Sequence, residues 1–189
     1  MRLGFSPFWL TMMALACSIV TALFFAIDKP FEAAFMILLT GFFDIVDGGV
    51  ARISRRISGF GATLDALVDR YTEFFQVIGI VLGGYRVDWW LGMSTAFTMN
   101  ASSYVRARAE STGGMKECSV GIIERPEKLL LLTAATILYH WFERSIEYTL
   151  WLLLILGQFT ILQRLYANWK HSRNLAAEED RKTDSSLIK

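Results

Sequence analysis

Long apolar stretches separated by short charged ones dominate this chain. Six can be drawn, at residues 7–27, 30–50, 60–84, 89–105, 128–142 and 146–166. A helix needs about 20 residues to cross the ~30 Å hydrocarbon layer of a membrane, and about 17 is the practical minimum. The pattern therefore predicts an all-α integral membrane protein with six transmembrane helices. The fifth is the weakest of the six, because only residues 129–142 are free of formal charge.

Basic residues accumulate in the connections on one side of the predicted helices. Connections on the other side carry Lys29, Arg86 and Arg144, each accompanied by an acid. Cytoplasmic loops are the ones enriched in Lys and Arg, so both termini are expected in the cytoplasm. The first stretch lacks a small-residue cleavage site and is interpreted as a retained span. The basic residues on the cytoplasmic side are Arg52, Arg55, Arg56, Arg106, Arg108, Lys116, Arg125, Lys128, Arg164, Lys170, His171, Arg173, Arg181 and Lys182.

Composition supports one membrane unit and excludes some functions. The 189 residues are 53% hydrophobic, and the formal net charge of +1 gives no reason to expect nucleic-acid binding. Residues 1–168 are predicted to form the membrane domain. Residues 169–189 are predicted to be a polar cytoplasmic tail that frays or lies on the membrane surface. Cys17 and Cys118 have neither metal-ligand spacing nor a plausible disulfide partner, and we interpret them as packing or loop residues.

Four aspartates occur where the second predicted helix ends and the third begins: Asp44, Asp47, Asp65 and Asp69. A charged group at membrane depth costs about 3 kcal/mol on insertion scales, so four together require compensating charge. Spacings of three and four residues place each pair on one helix face. A short cytoplasmic connection puts both pairs at the same level, where four carboxylates are expected to converge.

Converging carboxylates of this kind can clamp two divalent ions about 3.5–4 Å apart. Oxygen-only ligands suit Mg²⁺, with Mn²⁺ as an alternative. The competing interpretation is that each acid pair merely reaches water at a helix end, which the small and basic residues nearby disfavour. Gly48, Ala51 and Gly61 leave room for a phosphorylated ligand, and Arg52 offers a planar fork suited to a diphosphate. Glu73 continues the acidic stripe and is interpreted as a helix-packing partner rather than an acid supporting the metals.

The stretch from Asp44 to Asp69 resembles the signature of the CDP-alcohol phosphotransferase family. Every fixed position is matched in the pattern D-x2-D-G-x2-A-R-x8-G-x3-D-x3-D. The resemblance implies a six-helix membrane enzyme, usually a homodimer. Such enzymes transfer a substituted phosphate from a CDP-linked donor to an alcohol and release CMP. The segment from Ser6 to Thr11 is similar to the family's Pro-Asn-x-x-Thr entry segment, with Phe8 in place of Asn.

The resemblance also implies roles by position. Asp69 corresponds to the general base, and whether it also ligates a metal stays open. The implied metal ligands are Asp44, Asp47, Asp65 and Asp69. The implied CDP-donor contacts are Thr11, Gly48, Ala51, Arg52, Ser58 and Gly61.

A second group of basic residues bears on the acceptor. Taken alone, these bases fit the positive-inside rule and lipid-headgroup binding. However, the segments 106–110 (RARAE) and 124–128 (ERPEK) resemble the subfamily that makes phosphatidylinositol phosphate or archaetidylinositol phosphate. By that resemblance the acceptor is inositol phosphate and the donor a CDP-activated diacyl or archaeol lipid, with the residues around 117–125 favouring the archaeal members. The implied acceptor-phosphate contacts are Arg106, Arg125, Lys128 and Arg164.

Other functions stay open at this point. The same chemistry could use glycerol 3-phosphate as acceptor or CDP-inositol as donor. A divalent-cation transporter is the rival from another class, because intramembrane carboxylates also mark ion paths. A transporter predicts carboxylates distributed across the membrane, whereas these four lie at one level.

Overall fold

The computed structural model describes residues 7–54 and 59–187, and for residues 7, 47, 48, 50–54 and 178–187 it describes the backbone only. The described residues form six α helices and no strand, which confirms the predicted all-α class. The helices are α1 Pro7–Ala26, α2 Pro30–Ser54, α3 Gly59–Gly83, α4 Trp89–Ser111, α5 Arg125–Leu138 and α6 Ser145–Leu187.

Helix boundaries follow local backbone chemistry. Pro7 and Pro30 each occupy the first position of a helix, where proline's missing N–H would have no partner. The α1–α2 turn is closed by hydrogen bonds from the Asp28 and Lys29 amides to carbonyls in the last turn of α1, at 3.0 and 2.9 Å. After α3, Gly84 adopts φ of 72°, in the left-handed region that glycine enters without strain. Short turns of this kind make α1 and α2, and likewise α3 and α4, antiparallel neighbours.

Two helices differ from their predicted limits in ways that affect the site. α4 extends to Ser111, beyond the predicted end at residue 105, and carries the first basic segment on its last turns. α5 is short, at 14 residues, and begins at Arg125. At 1.5 Å per residue it spans about 21 Å, less than a full membrane crossing.

The C-terminal tail, which the sequence predicted to fray or to lie on the membrane surface, is helical in the structure. α6 continues as one helix through Leu187. The added turns contain strong helix formers and neither glycine nor proline. Arg173 lies 4.9 Å from the Trp169 ring centre, one turn away, and His171 Nε2 lies 3.2 Å from the Gly114 carbonyl oxygen. The tail is therefore polar, as predicted, but the structure extends the helix through it.

The core joins two groups of helices. α1 packs against α2 and α3, α4 packs against α6, and α5 lies between α2 and α6. Tyr85, fully buried after α3, donates a hydrogen bond to the Phe25 carbonyl at 3.2 Å and packs edge-to-face against the Phe25 and Tyr139 rings. This aromatic cluster fixes the end of the bundle opposite the aspartates.

The outward faces of the helices are strongly apolar. Two stretches, Phe8–Ala26 and Ser145–Ala177, are long and apolar enough by composition to cross a membrane. Exposed apolar area on this scale marks an interaction with lipid or another protein. Large side chains with more than half of their surface exposed include Trp9, Phe42, Leu82, Phe97, Leu130 and Leu162.

Close packing of α1 on α3 depends on Gly79. A methyl group there would lie 2.5 Å from Ala22 Cα, so the two backbones could not keep their separation. We expect Gly79→Ala to destabilise the fold by about 1–3 kcal/mol, as overpacking typically does. Thermal melting of the detergent-solubilised protein measures this. Gly41→Ala is the matched control, because its added methyl would meet Leu129 at an ordinary 3.7 Å. Equal melting temperatures for the two variants would contradict this account of the α1–α3 contact.

Candidate functional site

Three of the four predicted aspartates converge at one end of the bundle. Asp44 comes from α2, whereas Asp65 and Asp69 come from one face of α3. One carboxylate oxygen from each lies within 4.8 Å of the other two. Because α2 and α3 are consecutive helices running in opposite directions, the end of one and the start of the other meet. Asp47 lies on α2 three residues after Asp44, and its side chain is outside the described part.

The guanidinium of Arg125 lies between two of these carboxylates. Its Nη1 donates a hydrogen bond to Asp44 Oδ1 and is 2.6 Å from Asp69 Oδ1. The second contact has ion-pair distance without hydrogen-bond geometry, so buried Asp69 Oδ1 accepts no hydrogen bond from the described residues. Arg70 approaches Asp69 Oδ2 at a longer 3.8 Å. Arg125, predicted to face the acceptor phosphate, therefore also bridges the carboxylate cluster.

This donor set suits a divalent cation. All three side chains offer carboxylate oxygens, the ligands that Mg²⁺ and Mn²⁺ prefer. Asp69 Oδ1 is buried and accepts no well-formed hydrogen bond from the described residues, so it can serve as a ligand to an ion beside its Arg125 contact. The residues present therefore fit the metal that the sequence predicts.

A polar cavity of about 530 Å³ opens beside the carboxylates. Its wall contains all four cations predicted to contact the acceptor: Arg106, Arg125, Lys128 and Arg164. Asp65, Asp69 and Arg70 line the same cavity, as do Ser102 and Ser103. The structure thus places basic residues from α4, α5 and α6 around one space that the metal-site carboxylates border.

Two of these cations are held by acids that the sequence did not pair with them. Arg106 Nε donates to Glu110 Oε1 at 3.2 Å, one helical turn away. Lys128 Nζ donates to Glu73 Oε1, also at 3.2 Å, from α5 to α3. Glu73 does connect two helices, as expected of a packing partner, but it does so through an ion pair. The i,i+4 spacing of Arg106 and Glu110 was a usable signal, whereas residues 73 and 128 are too far apart in sequence to give one.

Most of the Arg164 guanidinium is used in hydrogen bonds to α4 and to the connection between α4 and α5. Its Nε donates to the Val120 carbonyl at 2.9 Å, and its Nη1 donates to the Ser102 carbonyl and hydroxyl at 2.7 and 3.0 Å. Gly121 passes so close to α6 that a methyl group there would lie 2.8 Å from Thr160 Cγ2. Its φ of +157° is also accessible mainly to glycine. Any phosphate contact by Arg164 therefore depends on its remaining nitrogen, Nη2.

Two further hydrogen bonds hold the same connection, residues 112–124. The Cys118 amide donates to Glu110 Oε1 at 3.0 Å, and the Ile123 amide donates to Thr160 Oγ1 at 3.3 Å. Glu110 therefore serves both Arg106 and the connection. The hydrogen bond from Cys118, followed by the contact with Arg106, lowers the pKa of Glu110 below its usual value.

An apolar groove of about 350 Å³ lies on the other side of Arg125. Arg125 and Asp44 form its polar end, and it continues between α2 and α5 toward the middle of the bundle. Its apolar wall is formed by Ile37, Leu38, Phe42, Ile45, Leu129 and Leu130. Groove and polar cavity meet at Arg125 and Pro126, which line both.

The predicted nucleotide contacts are less fully described. Gly48, Ala51 and Arg52 lie on the last turns of α2, where the structure gives only the backbone, and Ser58 falls outside the described residues. The two others have described positions: Thr11 is buried in α1, and Gly61 is on the first turn of α3.

Comparison with known proteins gives a consistent result. The model of the CDP-alcohol phosphatidyltransferase family matches residues 5–162. The archaetidylinositol phosphate synthase of Methanothermobacter thermautotrophicus is 31% identical over 173 residues, covering 89% of this chain and 86% of that protein. The phosphatidylinositol phosphate synthase of Mycobacteroides abscessus is 32% identical over 182 residues, covering 88% of this chain and 79% of its own.

Solved structures share the fold. The phosphatidylinositol phosphate synthase of Mycobacterium tuberculosis with CDP-DAG bound has a TM-score of 0.79 and 29% identity, covering 89% of this chain and 88% of that one. The same enzyme in complex with manganese and citrate also has a TM-score of 0.79 and 29% identity, covering 89% and 84%.

The lowered pKa of Glu110 predicts a pH-dependent loosening of residues 112–124. A carboxyl group whose pKa is lowered by folding stabilises the structure above its unfolded value of 4.5, and this stabilisation is lost as pH falls below that value. We expect faster hydrogen exchange at the Cys118 amide, beyond the intrinsic pH effect, as the pH falls from 6 toward 3. Glu110→Gln should remove most of this excess change. An excess that persists in the variant would assign the pH dependence to another group.

Proposed function

Because the chain belongs to the CDP-alcohol phosphatidyltransferase family, we propose that it transfers a diradylglycerol-phosphate group, phosphatidyl or archaetidyl, from a CDP-activated lipid to inositol phosphate and releases CMP. One observation carries this proposal. A carboxylate cluster, a cavity lined by five cations and an apolar groove meet at Arg125. Such a junction suits a reaction that joins a lipid-linked phosphate to a soluble anionic alcohol.

We assign metal binding to Asp44, Asp47, Asp65 and Asp69, with two Mg²⁺ ions and Mn²⁺ as an alternative. When bound, such ions neutralise the donor diphosphate and stabilise the departing CMP. The oxygen-only donor set supports this assignment, as does a relative of known structure containing manganese. Arg125 then contributes a fixed positive charge beside Asp44 and Asp69, which holds the two helices' carboxylates in one place.

The apolar groove between α2 and α5 is the proposed position of the donor's hydrocarbon chains. Its polar end at Asp44 places a lipid phosphate next to the carboxylate cluster. The nucleotide is assigned to the segment joining α2 and α3, through Thr11, Gly48, Ala51, Arg52, Ser58 and Gly61. A relative whose structure contains CDP-DAG supports a CDP-lipid donor.

The polar cavity is the proposed acceptor site. Arg106, Arg125, Lys128 and the remaining nitrogen of Arg164 provide the charge-assisted hydrogen bonds that a phosphate dianion requires. Ser102, Ser103 and Glu124 also line the cavity and offer oxygens to a polyol's hydroxyl groups. These polar groups favour inositol phosphate over an acceptor without a phosphate.

Asp69 is the proposed general base because its carboxylate borders the acceptor cavity and belongs to the metal cluster. It accepts the proton of the acceptor hydroxyl as that oxygen forms a bond to the lipid-side phosphorus. The bond from this phosphorus to the CMP oxygen breaks in the same displacement. Whether Asp69 also ligates a metal does not change this proton's destination.

We propose a multi-pass protein of the cell membrane, with six spans, both termini and the active site on the cytoplasmic side, and a homodimeric assembly. The apolar outward faces support membrane embedding. The basic residues around the cavity support the cytoplasmic orientation, since Lys and Arg concentrate on that side.

Two narrower alternatives keep the same chemistry, with glycerol 3-phosphate as acceptor or CDP-inositol as donor. The divalent-cation transporter is disfavoured by the geometry. Asp44, Asp65 and Asp69 cluster at one end of the bundle, and a positively charged cavity adjoins them. A cation path would instead require acidic groups continuing across the membrane.

Asp69→Asn should reduce the rate of CMP release by about 10²–10⁴-fold, because the general base is lost. Much of the CDP-lipid binding should remain, since the amide occupies the same space. Steady-state CMP release and equilibrium CDP-lipid binding measure the two effects. Asp88→Asn is the matched control, because Asp88 lies before α4 at the other end of the bundle. Normal turnover in Asp69→Asn would exclude its role as base.

The acceptor is tested with purified enzyme offered CDP-diacylglycerol or CDP-archaeol together with inositol phosphate, glycerol 3-phosphate, inositol or serine. We expect CMP release to be fastest with inositol phosphate and to stop when divalent metal is chelated. Preference for glycerol 3-phosphate would replace the proposed acceptor. Metal flux into liposomes, without CMP release from any combination of donor and acceptor, would support the transporter hypothesis instead.

A further inference from the structure

The buried ion pair between Glu73 and Lys128 is the feature of the site that the reaction described above does not use. Glu73 is 2% exposed and Lys128 is 5% exposed, so neither charge is solvated by bulk water. Their contact, Nζ to Oε1 at 3.2 Å, joins α3 to α5. A buried charge is tolerated only when it is paired, so each residue determines whether the other can remain charged where it lies.

The two members of the pair have different access to the cavity. Lys128 lines the cavity together with four arginines, whereas Glu73 is absent from its wall. Glu73 therefore lies behind Lys128, where an acceptor in the cavity would not touch it. Any effect of Glu73 on the acceptor has to act through its neighbour.

Glu73 makes few other polar contacts with the described residues. Its Oε2 is 3.8 Å from Arg70 Nε and has no hydrogen-bond donor among the described residues. Gln76, one turn further along α3, has both side-chain amide atoms buried without a hydrogen-bond partner in the described chain. Among the described residues, Lys128 thus provides the one hydrogen bond to the Glu73 carboxylate.

We propose that Glu73 is a positioning residue that fixes the Lys128 ammonium at the cavity wall for the acceptor's phosphate. This rests on the proposed function, in which the cavity binds a phosphorylated alcohol. Lysine has a flexible four-carbon stem and a compact charge, so it positions a phosphate less rigidly than an arginine fork. A buried carboxylate behind the ammonium restricts it to one location. The Glu73 carboxylate also neutralises the charge of Lys128 when no acceptor is bound.

Removing Glu73 would have two opposing effects on the affinity of the cavity for the acceptor's phosphate. Loss of its negative charge would strengthen attraction between the cavity and a phosphate. Loss of its hydrogen bond would leave Lys128 unanchored and poorly solvated. Because the pair is in direct contact and buried, we expect the second effect to dominate.

The test measures CMP release by the full-length enzyme in detergent, with the acceptor and the CDP-lipid varied separately. Glu73→Gln should raise the acceptor KM by about tenfold or more and leave the CDP-lipid KM within about twofold. Lys128→Met should have the same pattern. In the double variant, the acceptor KM should stay within about twofold of that of Lys128→Met, since Glu73 acts through the lysine.

Glu143→Gln is the matched control. Glu143 also pairs with a basic residue, Arg86 at 2.9 Å, but at the end of the bundle with Tyr139 and far from the cavity. Both KM values should be unchanged in this variant. An acceptor KM for Glu73→Gln that is unchanged or lowered would overturn the proposal, as would multiplicative effects in the double variant.

Two additions keep the result interpretable. If Glu73→Gln does not fold, Glu73→Asp keeps the charge but is one methylene shorter, and it should raise the acceptor KM by about threefold to fivefold. An unchanged KM there would overturn the proposal. Failure of the proposed function is seen separately, as no CMP release from the parent enzyme with inositol phosphate. In that case the parent protein and Glu73→Gln are compared by how much inorganic phosphate raises their melting temperatures. Glu73→Gln should abolish this stabilisation, and its persistence in the variant would reject the proposal.

Discussion

Compensation of buried charge is the constraint on which the site depends. Acidic groups in a mostly apolar bundle need compensating charge, and most of those described near the cavity form an ion pair; among the described residues Asp65 is the exception. Asp44 and Asp69 share Arg125, Glu73 holds Lys128, and Glu110 holds Arg106. The contacts of Arg125 and Lys128 connect α5 to α2 and α3, whereas Glu110 and Arg106 pair within α4. The same contacts that make buried carboxylates tolerable also decide where the catalytic groups lie.

The beginning of α5 is where these constraints meet. Pro126 at the second position of the helix fixes its start, and Arg125 immediately before it reaches the carboxylates of α2 and α3. The preceding connection is held to α6 by Arg164 and Thr160, so α5 cannot shift without breaking those bonds. Groove and cavity therefore keep a fixed relation across Arg125. A lipid-linked phosphate and a soluble acceptor require such a relation, since displacement at phosphorus depends on alignment of both groups.

Much of this organisation was predictable from local sequence. Hydropathy predicted six helices, and the aspartates at the end of one helix and the start of the next predicted the convergence that Asp44, Asp65 and Asp69 show, because each of these patterns is local in sequence. The basic segments predicted a cationic cavity by resemblance. The partners of those bases were not predictable: Lys128 with Glu73 and Arg164 with Ser102 are contacts between distant segments. The helical tail was missed because its polar composition outweighed its helix propensity in the prediction, and the roles of Asp47, Arg52 and Ser58 remain predictions.

The central claim is that carboxylates from α2 and α3 hold divalent metal between the groove and the cavity. Its most direct test is anomalous scattering from crystals of the protein grown with Mn²⁺ and a CDP-lipid. The account predicts manganese peaks within about 2.2 Å of the Asp44, Asp65 and Asp69 carboxylate oxygens, in contact with the donor's diphosphate. A donor bound in the groove without manganese at these three residues, or manganese bound at another place in the bundle, would contradict it.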